Sequence, residues 1–212
     1  MASDKLKYLY FLLLALSIFT VSCGDNEVDE AFIDKSFLEK EPCAPPCWYG
    51  LELEESTEED VYDVLKQLPF VKNDNIFEQS TTWINGDSVK VISYKCVYPR
   101  GLVCGRIYIV KDTVREIITK VNYDLPLSLI VEEIGEPEYI IIHNPIDSNG
   151  CEISLDWPKK QISVSSDSQE KCPAPNTKFS PDAKVTYLMY AVSESFTASV
   201  ENQYPWPGFV QP

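Results

Sequence analysis

Residues 88–110, SVKVISYKCVYPRGLVCGRIYIV, decide how this chain is read. The runs "SVKVISYKCV" and "VCGRIYIV" are dense in Val, Ile and Tyr, the residues that suit a pleated, half-buried surface. Pro99-Arg100-Gly101 between them supplies a turn. A hairpin here puts Cys96 and Cys104 on adjacent strands. Upstream lies "TTWI", and Asn85-Gly86 is the strongest hairpin signal in the chain. Downstream, "KD" leads into "TVREIITKV". The simplest reading of this block is an antiparallel meander.

A helix precedes it. In "ESTEEDVYDVLKQLPFV", Ser56 and Glu59 have capping-box spacing. Glu58, Glu59 and Asp60 suit the positive end of a helix dipole. Val61, Val64, Leu65 and Leu68 share one helical face, and Pro69 stops the helix. The second half repeats that order. "LPLSLIVEEIGEPEYIIIH" has Leu129, Ile130 and Ile134 on one helical face, Gly135 as a C-cap and Pro137 beyond. Tyr139 to Ile142 has strand chemistry. "CEISLDW" and "QISVSS" form a hairpin across Pro158-Lys159-Lys160, and "KVTYLMYAV" makes a late strand. The tail "NQYPWPGFVQP" has too many prolines for a central strand. The expected fold is α+β, with two tandem modules, each a short helix packed on an antiparallel β-meander. Their limits are 43–122 and 123–212, preceded by a signal peptide at 1–22 and an acidic tether at 23–42.

The signal peptide is read from Lys5 and Lys7 followed by an apolar run from Tyr8 to Val21. That run is short for a bilayer span, which takes about 20 residues. It ends at Ser22-Cys23, which resembles the lipobox of bacterial lipoproteins, with Thr20 in the place usually held by Leu. The resemblance implies lipidation of Cys23 and a membrane-anchored, extracytoplasmic protein of the cell envelope. Gly24 to Glu41 then reads mainly as a spacer, with a helical turn open to the part that holds Phe32, Ile33, Phe37 and Leu38.

With Cys23 set aside, Cys43, Cys47, Cys96, Cys104, Cys151 and Cys172 remain. An even set in an exported chain reads as disulfides. Cys151 and Cys172 flank the second hairpin, which leaves Cys43 and Cys47. An extended Pro45-Pro46 would hold their Cα atoms about 12 Å apart, too far for a bond. Either the chain turns at the prolines, through a cis bond for example, or each cysteine pairs elsewhere.

"PCWYGL" followed by a capped helix and "LPFV" resembles uncharacterised bacterial lipoproteins that share a Pro-Cys-Trp-x-Gly-apolar signature. Their usual Pro-Gly-Thr before the helix is replaced here by Glu54-Glu55-Ser56-Thr57. A helix ending near "GEP" before a meander, over Leu127 to Ile142, is more distantly similar to β-lactamase-inhibitor-protein-like modules and to small outer-membrane assembly lipoproteins. These resemblances imply export and this architecture, and they imply no reaction.

The chain carries 18 Lys+Arg against 33 Asp+Glu, a formal charge of −15. Loss of residues 1–22 removes Lys5, Lys7 and Asp4 and leaves a net of −16. Such a surface repels phosphate backbones and anionic lipid heads, so no nucleic-acid partner is expected. Membrane association then rests on the lipid at Cys23. The one histidine, His143, ends an apolar strand with no triad or zinc pattern around it. No Gly-rich phosphate loop occurs. "IDSNGCEISLD" offers oxygen ligands without the EF-hand pattern. No cofactor, metal or catalytic residue is expected.

Trp83, Trp157 and Trp206 sit at strand or loop edges and could present a partner surface. Antiparallel sheets favour aromatics in any case. The expected function is non-catalytic binding of an envelope protein or a saccharide. An envelope structural or assembly factor is the first alternative, and a secreted hydrolase with paired carboxylates is the second.

Overall fold

The computed structural model describes residues 32–83, 86–97, 102–143, 152–166, 174, 176–196 and 203–210, without the side chains of residues 73 and 143. Cys23, Cys151 and Cys172, the signal peptide, and the turn at Pro99-Arg100-Gly101 lie outside these residues.

The fold is mostly antiparallel sheet with a few helices, in agreement with α+β. A short helix α1 (Ser36–Glu39) comes first, then α2 (Glu58–Gln67). Four strands follow: β1 (Val71–Thr82), β2 (Ser88–Cys96), β3 (Val103–Val110) and β4 (Thr113–Lys120). Helix α3 (Leu127–Ile134) precedes β5 (Tyr139–His143), β6 (Glu152–Trp157), β7 (Ile162–Ser166) and β8 (Val185–Ala191). Strand β9 (Gln203–Pro205) closes the order. Among the described residues the strands form one sheet, ordered β1-β2-β3-β4-β8-β7-β6-β5-β9. The first four strands thus run as a meander to β4, which pairs with β8 in place of β5.

Side chains on adjacent strands line up across the sheet. One row runs Ile92, Ile107, Ile117, Tyr190, Ile162 and Trp157, all nearly sealed from solvent. The parallel row includes Tyr94, Gly105, Thr119, Leu188, Val164, Leu155 and Ile140. A Cβ on Gly105 would lie 2.2 Å from the Tyr94 hydroxyl, so only glycine lets that ring cross β3. Both rows face the helices. Lys90 of β2 reaches Glu58 of α2, and the Trp157 indole donates to the Gly135 carbonyl at the end of α3. A single apolar cluster joins Val61 and Leu65 of α2, Leu127 and Ile130 of α3, and the inner sheet rows.

The N-terminal cap of α2 differs from expectation by one residue. Thr57 is the cap, and its partner in the capping box is Asp60, not Glu59. The Ser56 hydroxyl instead accepts from the Glu52 amide, which closes the preceding turn. Val61 and Leu65 are buried as expected, Leu68 nearly so, and Val64 is half-buried.

Among the described residues two disulfides are present, Cys43–Cys47 and Cys96–Cys104, with Cα separations of 5.7 and 5.6 Å. The Pro45–Pro46 bond is cis, and so is Glu41–Pro42. The Cys47 amide donates to the Ala44 carbonyl at 3.2 Å, so the chain turns back at the prolines. Disulfides persist in oxidising surroundings, so the pair points to an extracytoplasmic compartment. No helix among the described residues is long and apolar enough to cross a membrane.

Candidate binding face

The two faces of the sheet are unlike. The helix-covered face holds a buried carboxylate, Asp34, from the stretch assigned above to the acidic tether. Its Oδ1 accepts from the Ser36 amide at 3.1 Å and hydroxyl at 2.7 Å. Its Oδ2 accepts from the Trp48 indole at 3.0 Å and the Thr119 hydroxyl at 2.8 Å. The Tyr94 hydroxyl donates to Thr119 in turn, and Trp48 stacks on the Tyr94 ring at 5.8 Å. Phe37 is buried beside this network, and Lys40 pairs with Glu133 of α3. Residues 32–37 thus pack against the core, within the stretch read mainly as a spacer, while residues 38–42 are exposed. Tyr49, Tyr94, Tyr123 and Tyr190 are held above the usual phenol range, first by burial and then by the Asp34 charge. A carboxylate with both oxygens satisfied in the interior is a structural anchor.

The opposite face carries the alternate residues of the same strands; the turn at 193–196 lies over its β5–β9 edge, where the Phe196 carbonyl accepts from Tyr139 and Gln203, and the β3–β4–β8 centre is open. Its central row passes through Phe77, Ser93, Arg106, Ile118, Met189, Ser163 and Asp156. Arg106 is exposed, Ile118 and Met189 are half-buried, and Tyr187 stands open at 37 % exposure. These side chains, with Glu152 and Ser154, line a groove of about 530 Å³. Ser163 donates to Asp156, which keeps that buried carboxylate satisfied.

Toward the β1–β2 turn the same face forms a second cavity, of about 680 Å³. A small apolar cluster of Val89, Val91 and Val110 sits here, with Trp83 and Tyr108 packed on it. Glu116 of β4 is the direct cross-strand partner of Tyr108, so the two side chains project together. Burial pushes the Glu116 carboxyl up to about 7.

The three tryptophans singled out in the sequence do not converge. Trp83 lines the second cavity. Trp157 is 2 % exposed, which removes it from any partner surface. Its indole N–H donates to the Gly135 carbonyl at the end of α3, which lies over the ring. Trp206 stacks on Phe179 at 5.1 Å and meets Phe209 edge-on, beside the helix-side core. Arg106, Tyr187, Tyr108 and Glu116 escaped the sequence reading. Period-two alternation in "VCGRIYIV" and "KVTYLMYAV" was the available signal, because it separates the two faces. Among the described residues no group of His, Cys, Asp and Glu has the arrangement of a metal site. The chain matches no protein-family model, no curated protein and no solved structure.

Proposed function

We propose that this is a lipid-anchored, extracytoplasmic binding protein that holds a protein partner on the open face of its sheet and performs no catalysis. The observation that carries the reading is the exposed centre of that face, where Arg106 and Tyr187 stand beside half-buried Ile118 and Met189. Arg, Tyr and Met are enriched at interface centres because each offers large contact area together with a polar or adaptable end. The two halves are read as repeats of one helix-and-meander module. Support for this is the twofold order helix then four strands, and the sheet order that reverses about the β4–β8 pair.

The anchor is assigned to Cys23, where the apolar N-terminal run stops. Growth of the full gene with labelled fatty acid tests it. Wild type takes up label and Cys23→Ala takes up none; equal label in both refutes the anchor. For the binding face, the full chain is used to capture envelope proteins, identified by mass spectrometry. The double variant Arg106→Glu, Tyr187→Ala is expected to lose the captured species, while Glu59→Lys on α2 retains it. Equal capture by all three overturns the assignment of the open face.

A further inference from the structure

We infer that the cavity at Glu116 is a binding site for an ammonium group, taken up between this carboxylate and the rings of Trp83 and Tyr108. The inference rests on the open face being the working surface, and adds the chemistry of what one end of it holds.

The geometry is that of a cation trap with its cation missing from the protein's own residues. Trp83, Tyr108 and Val110 line its apolar side, backed by Val89 and Val91, and the rest of the lining is mostly polar and includes Lys111 and Arg115. Glu116 projects beside Tyr108 from the neighbouring strand. Among the described residues no donor or cation contacts its carboxylate, and desolvation is what acts on it. A carboxylate drawn partly out of water and left without a partner costs stability unless a proton or a group from outside the fold compensates it.

The charged groups around the cavity are already matched. Lys111 pairs with Asp87 at 3.3 Å, at the turns that close β1–β2 and β3–β4. Arg115 is bound by Glu54 and by Glu194, the latter just beyond β8. Neither cation turns to Glu116. The site therefore lacks one positive charge, and the aromatic walls select an organic cation over a hydrated metal ion, since ring faces attract ammonium groups through their quadrupole. The overall charge of −15 draws cations toward the protein and anions away. An uncharged sugar would use the rings but would leave the carboxylate charge uncompensated.

The ammonium can come from a free amine or from a lysine side chain of the partner, and the test separates these. The full chain in detergent micelles is titrated calorimetrically with n-butylammonium chloride, with potassium chloride as the ionic control and n-butanol as the neutral one. Saturable binding of n-butylammonium alone is expected at pH 8. Binding should be about 30-fold weaker at pH 5.5, because a carboxyl that titrates near 7 is then mostly protonated. Glu116→Gln should abolish it, Trp83→Ala should weaken it several-fold, and Glu136→Gln, on the exposed turn after α3, should leave it unchanged. A lysine-bearing peptide that binds at least tenfold tighter than its norleucine counterpart and than n-butylammonium identifies a protein lysine. Equal affinity of peptide and n-butylammonium identifies a free amine. Equal binding of n-butanol, no saturable heat, or binding unaltered in Glu116→Gln overturns the inference. If it is overturned while Arg106→Glu, Tyr187→Ala still abolishes partner capture, the ammonium site alone falls. If capture is unaffected by that variant, the open-face reading falls with it.

Discussion

Asp34 is a buried carboxylate and Glu116 a half-buried one, and their surroundings make them opposites. Asp34 meets four donor contacts from Ser36, Trp48 and Thr119. Glu116 meets none among the described residues, and its folded pKa rises from the ordinary 4.5 to about 7. In the unfolded chain Glu116 gives up its proton near 4.5, while the folded protein keeps it until about 7. The folded state therefore binds more protons in that window, and stability falls as pH rises through it. Above pH 7 the loss is complete. Glu116→Gln should be more stable than wild type at pH 8 by about 1–3 kcal/mol and equal to it at pH 4. Urea midpoints at the two pH values check this. A gain of the same size at both would mean that packing, not ionisation, is responsible. Neither carboxylate could be recognised from its neighbours in sequence. Asp34 lies in an acidic run, and its partner Thr119 is 85 positions away. Glu116 is one of 33 acidic residues, distinguished only by the strand that folds beside it.

Elements held by local chemistry were legible. Strands β2 and β3, helix α2 and the turn at Pro158–Lys160 follow from short-range signals. So does the Cys96–Cys104 bond, which joins neighbouring strands. The segment around α1 was legible only in part: its apolar residues suit a helical turn, but nothing local places that turn in the core. Only four residues are helical, and its order comes from Phe37, Asp34 and Trp48 meeting in the core. Its contribution can be measured. Phe37 is 1 % exposed, so Phe37→Ala should cost about 3–5 kcal/mol, the usual loss for a buried ring. A thermal melt that moves by less than a degree would show that residues 32–37 are held too loosely to support the fold. Trp157 was misjudged for a related reason. Its place at a strand end suggests exposure, but the end of α3 lies over it.

For the molecule as a whole, the sheet and the core disregard the boundary between the halves. Ile117 pairs with Tyr190 across β4 and β8, and one apolar cluster includes side chains from both helices. The halves should therefore unfold together. Tryptophan fluorescence, which reports Trp48 and Trp157 on either side, and far-ultraviolet circular dichroism should give coincident urea transitions. Two separated transitions would mean that the β4–β8 contact is weak and the halves are independent. The pairing itself was hidden in the sequence, because nothing local to "TVREIITKV" distinguishes β8 from β5 as its neighbour.

That same pairing sets an order of events. Lys120 finds its partner in Tyr187, so β4 waits for the chain through β5, β6 and β7 before its outer edge is closed. Until then the first meander has an open, Ile-rich margin that invites pairing with another chain. The time between the emergence of β4 and the arrival of β8 is when aggregation competes with folding, and slower delivery of the C-terminal half should lower the yield of native protein.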